Sequence, residues 1–111
     1  MAPEKQIRAK LRKLAGTAYQ RELDQELRGL SAWFTRWEAS EVDCFELSDK
    51  IHEFHDGAAR QLYVMYERLK PNVAVGRAIA LGLLSSEETP PVILAKLKDT
   101  IELFRDQTEA S

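Results

Sequence analysis

A chain of 111 residues suits one domain and leaves no room for two ordinary ones. With 44% hydrophobic and 31% charged residues and a formal net charge of only −2, its balance is that of an ordinary globular domain and argues against disorder. The single cysteine, Cys44, excludes an intramolecular disulfide. A chain of this size buries roughly two-thirds of its unfolded surface, which is enough for a core without staples.

Only 5 glycines and 4 prolines interrupt the chain, and this favours helices over a many-turned β fold. Residues 1–14 alternate charge with isolated apolar side chains, unlike a signal peptide. The most apolar stretch, residues 73–84, is interrupted by Arg77 and is too short to span a bilayer. A cytoplasmic location is expected.

From the start to Trp37, apolar residues recur at helical spacing: Ile7, Leu11, Leu14, Ala18, Leu23, Leu27, Leu30, Phe34 and Trp37. The gap of five between Ala18 and Leu23 is the widest, softened by Tyr19. Polar residues, among them Arg21, Glu22, Gln25 and Glu26, fill the opposite face. Gly16 and Thr17 leave two readings open. Thr17 caps a second helix, or one helix runs through, since a lone glycine costs only about 1 kcal/mol in a helix.

Residues 39–42 form a short connector. Asp43 with Glu46 three residues on is a capping-box-like pair. Cys44, Leu47, Ile51, Phe54, Ala58, Leu62, Met65 and Leu69 then form a second stripe. It continues through Gly57, so one helix is predicted over 43–69, with a bend near Asp56 and Gly57 or a break at Gly57 as alternatives. A short connector between two long helices makes them antiparallel neighbours.

Proline disfavours helical geometry in the residue before it, so Lys70-Pro71 ends this helix and Pro71 opens the next. Residues 72–84 are apolar on most sides, with small residues at Ala74, Gly76, Ala78, Ala80 and Gly82 that permit close approach. Thr89-Pro90 reads as cap and first turn of a last helix reaching about Asp106. The expected fold is all-α: a small helical bundle built on a long antiparallel hairpin, plus two shorter C-terminal helices. Residues 1–106 make one domain, within which 1–16 form a basic amphipathic segment, and 107–111 are a frayed tail.

Charge is unevenly spread. Residues 1–16 carry five cations against Glu4, a net of +4, whereas residues 37–56 carry seven acids against Lys50, a net of −6. The basic helix, through Lys5, Arg8, Arg12 and Lys13, offers an anion or nucleic-acid surface. The alternative is a solvated face, or one lying against the chain's own acidic region.

Two further patterns carry chemistry. His52 and His55, with Asp49, Glu53 and Asp56 nearby, have spacings compatible with a shared metal in a helical bundle. Both histidines fall at or beyond the edge of the apolar stripe, where surface hydrogen bonding is the plainer reading. Trp33, Phe34 and Trp37 widen the apolar face near the connector, as expected of a partner interface or of a broad core contact.

Other chemistry finds no support. A calcium loop ending at Glu46 would put Trp37 and Ala39 at ligand positions, where neither side chain can ligate. Cys44 falls in the core stripe beside Asp43 and Glu46, which oppose thiolate formation. No serine elbow and no phosphate-binding glycine loop is present. The sequence therefore points to a non-enzymatic helical interaction module without a cofactor, homo-oligomeric or bound to one protein partner. A metal-dependent protein and a nucleic-acid binder are the alternatives.

Overall fold

A computed structural model describes residues 4–110, with side chains through Thr108. Residues 1–3 of the basic segment and residue 111 of the tail lie outside the described residues. Those described are mostly helical, with no strand among them. No helix among them is long and apolar enough to cross a membrane.

Helix α1 spans Glu4–Glu38 without interruption. It passes through Gly16, and Thr17 is not a cap: its hydroxyl donates to the Lys13 carbonyl one turn back (3.2 Å). At 1.5 Å per residue its 35 residues extend about 52 Å, most of the molecule's 59 Å long axis.

The end of α1 is a Schellman turn. Glu41 N–H donates to the Arg36 carbonyl (2.8 Å) and Ser40 N–H to that of Trp37 (3.0 Å). Ser40 occupies the left-handed position at φ 62°.

Asp43 caps the next helix, accepting from Glu46 N–H at 2.8 Å. This helix is continuous but not uniform. It comprises α2 (Cys44–Glu53), a π-helical turn (Phe54–Ala59) and α3 (Arg60–Arg68). The π turn falls where Phe54, Ala58 and Leu62 are separated by two consecutive gaps of four. In an α-helix that spacing drifts off the stripe by about 40° per step. A π turn takes more residues per turn and holds all three on one side. Gly57 lies within it, and a Cβ there would meet nothing within 4 Å.

Lys50 lies over Trp33, and Tyr66 stacks on Tyr19. Rising numbers in the second run thus meet falling numbers in α1, and the two are antiparallel.

Helix α4 (Pro71–Ala80) packs against α1 and against α6 (Lys98–Ala110). Its approach to α6 is close at Gly76, where an added Cβ would lie 2.6 Å from Thr100 Cγ2. Helix α4 also ends in a Schellman turn, with Gly82 at φ 79° and Leu83 N–H donating to the Ala78 carbonyl (2.8 Å).

Two expectations are corrected beyond this point. Thr89 does not cap a helix: its hydroxyl is buried and donates to the Ser85 carbonyl (2.9 Å), and Pro90 takes the cap position. The single last helix is two, α5 (Pro91–Lys96) and α6, divided at Leu97, and α6 continues past Asp106. Three helices, not two, therefore follow α3.

The buried cluster joins Leu11, Leu14 and Ala18 of α1 to Val75, Ala78 and Ile79 of α4. Leu83, Leu84, Ile93, Leu97 and Ile101 complete it. Its last residue from α1 is Ala18. From there to the tip, α1 packs mainly against the α2–α3 run, where Leu47 and Leu62, with Val42 of the connector, are the buried apolar residues.

Two polar clamps bind α1 to the helices around the core. Glu22 accepts two hydrogen bonds from Arg77 (2.8 and 3.1 Å) and one from Tyr66 (2.7 Å), linking α1, α3 and α4. Arg21 forms a bidentate pair with Glu88 (both 2.9 Å) and also donates to the Leu83 carbonyl (2.8 Å). Glu88 in turn accepts from Ser85 N–H (2.7 Å), closing the loop before α5.

Candidate functional site

The far half of α1 and the facing α2 form an arm whose apolar residues are incompletely covered. Phe34 keeps 39% of its surface exposed, Trp37 43% and Leu27 43%. Across the connector, Phe45 keeps 76% and Ile51 39%. A two-helix arm can bury only the seam between its helices. The remaining stripe faces solvent unless another chain supplies a third layer.

The three aromatics do not share one environment. Trp33 turns toward α2 and is half-buried, held between the Arg36 guanidinium (4.4 Å) and the Lys50 ammonium (4.6 Å) in cation–π contacts. Phe34 and Trp37 stay on the exposed side. Sequence spacing missed Phe45, because it lies outside the counted stripe. Cys44, expected in the core, is exposed. It sits in the first turn of α2, where the capped helix start turns Leu47 inward and leaves Cys44 and Phe45 outside.

His52, His55, Asp49 and Asp56 are all exposed. Among the described residues, no three or more His, Cys, Asp or Glu side chains gather in a way that could hold a metal ion. His55 and Asp56 lie in the π turn and line a shallow hollow with Arg60 and Tyr63.

Lys5, Arg8, Arg12 and Lys13 are all exposed on α1. Arg8 and Arg12 line a cavity of about 350 Å³, together with Lys70 and Lys96. No spacing in the sequence could have joined residues 8 and 96; the packing of α4 and α5 beside α1 does so.

Electrostatic shifts concentrate in the clamps. Hydrogen bonds from Arg21 and from Ser85 hold the Glu88 carboxyl down at about 2. For Glu22, burial pushes the pKa up, but hydrogen bonds from Arg77 and Tyr66 outweigh it and the net shift is downward. Tyr66 is raised by burial and by the Glu22 carboxylate. These shifts belong to structural contacts between helices. Arg21 and Glu22, which spacing assigned to a solvated face, are in fact the residues that fasten α1.

No protein-family model, no curated protein and no solved structure matches this chain.

Proposed function

We propose that this protein is a non-enzymatic interaction module that self-associates through the far half of its helical arm. In this reading the architecture is a long antiparallel hairpin, its base clasped by α4, α5 and α6 and its tip left for a partner. The observation that carries it is the exposed stripe of Leu27, Phe34 and Trp37 on α1, beyond the last core residue of that helix, with Phe45 and Ile51 also exposed on α2. Exposed apolar side chains gathered on one element mark interaction surfaces, whereas single ones do not.

A second copy is the occupant the stripe itself favours, because its residues recur at helix-packing intervals and a two-fold pairing covers both copies at once. Leu27, Leu30, Phe34 and Trp37 follow 3–4–3 spacing, which suits helix-against-helix packing.

Sedimentation equilibrium at low and high salt tests the proposal. A reversible dimer is expected, weakened at least about tenfold by Leu27→Glu with Phe34→Glu, with helical content unchanged. A strict monomer at high concentration, or a dimer indifferent to both substitutions, overturns it.

A further inference from the structure

We propose that the groove between the first turns of α1 and the α3–α4 junction binds a small phosphorylated molecule with a planar apolar body, of the nucleotide class. The groove lies at the base of the molecule, away from the exposed tip, and the inference does not depend on the self-association reading.

Four cations converge on one cavity of about 350 Å³: Arg8 and Arg12 from α1, Lys70 from the residue before α4, and Lys96 from the last residue of α5. No acid lines it. Among the described residues, none of the four is in an ion pair. By contrast, Arg21, which faces the loop before α5, and Arg77, which faces α1, each have a bidentate carboxylate. Like charges held around one concave surface repel, and a dianion seated among them removes that repulsion.

Two more features shape the ligand. Helix α4 opens on the groove at Pro71 and Asn72, and its cap residue Lys70 provides no side-chain acceptor for the first-turn amides. The helix dipole therefore adds positive potential to the cationic cluster. The floor is apolar, formed by Leu11 and Pro71. A second hollow of about 210 Å³ shares Arg12 and Pro71 with the first and is bordered by Tyr19 and Tyr66. These two rings are stacked at 4.7 Å.

The groove thus runs from a cationic end to an aromatic end. Its combined size falls in the range of small-ligand sites. Two arginines can each grip a phosphate bidentately, and the lysines add point charges. A polymer backbone calls instead for a stripe of cations along a face, which Lys5 and Lys13 would extend but the groove does not include.

Calorimetric titration of the full chain with ADP, inorganic pyrophosphate, a single-stranded 12-mer and vesicles containing anionic lipid separates the possibilities. ADP is expected to bind more tightly than pyrophosphate, because only ADP reaches the tyrosine end. Lys70→Gln with Lys96→Gln should weaken ADP binding at least about tenfold, the effect of losing roughly two charge-assisted contacts. Lys5→Gln with Lys13→Gln removes the same charge outside the groove and should change it less than about twofold. All four lysines are exposed, so both variants should keep the parent melting curve. The proposal is overturned if ADP fails to bind at millimolar concentration. Equal losses in the two variants, or preference for the 12-mer or vesicles over ADP, would overturn it as well.

Discussion

The two halves of α1 are built from similar apolar residues and end up in opposite circumstances. Leu11, Leu14 and Ala18 are buried in the main core, while Leu27, Phe34 and Trp37 remain substantially exposed. The difference comes from the gap of five between Ala18 and Leu23. Five residues advance about 500° around a helix, so the second stripe points about 140° away from the first. A single straight helix thus presents one apolar face to α4 at its base and a different one beyond it. The hinge between the two faces is where Tyr19, Arg21 and Glu22 fasten α1 to α3, α4 and the loop before α5.

The same contrast appears at the two Schellman turns. The one at the base places Gly82 at its left-handed position, the residue type that adopts it without strain. The one at the tip places Ser40 there, which carries a Cβ into an unfavourable region. The base is locally consistent, and the tip is not.

Substitutions should separate into two classes along this division. The largest effect belongs to the base. Ile93→Ala should cost about 3 kcal/mol through cavity formation, seen as a lower urea midpoint for the whole domain. Next is Glu22→Ala, which strands the half-buried Arg77 and should cost about 2 kcal/mol by the same measurement. A loss below about 0.5 kcal/mol would mean that the Glu22 clamp adds little to the apolar packing of α1.

At the tip, Ser40→Gly should stabilise by about 1 kcal/mol, raising the thermal midpoint by a few degrees. A decrease would show that the left-handed serine is not strained. Smaller still, Leu27→Ser should change monomer stability by no more than about 0.5 kcal/mol, because its surface is already wet. A core-sized loss there would erase the distinction between the halves.

Acid should act on the clamp side. Glu88 titrates at about 2 when folded, against 4.5 for a free glutamate. Its depressed value means that the contribution is fully present above about pH 4.5 and is lost as pH falls toward 2. Melting curves across that window should slope less steeply in Glu88→Gln than in the parent. Both partners are well exposed, so the effect is modest.

Much of this was legible in the residues. Helical spacing along residues 7–37 and 43–69, the Asp43 cap, the stop at Lys70-Pro71 and the small residues near Gly76 all have local causes, and each is found in place. The gap of five was visible too, but its meaning depends on what covers each face. Thr89 does not cap because its hydroxyl turns to the Ser85 carbonyl within a loop that Arg21 holds through Leu83 and Glu88, and nothing in the local spacing marks the division of the last helix at Leu97.

Sequence by itself determined the local order: which segments are helical, where they start and stop, and that charge is divided between the ends. Those properties depend on neighbours within one or two turns, and spacing encodes them directly. Tertiary structure alone decided that Arg21 and Glu22 are clamps and that Arg8 and Arg12 share a cavity with Lys70 and Lys96. Those pairings join residues tens of positions apart, and their geometry exists only once the helices after α3 have packed around the base of α1.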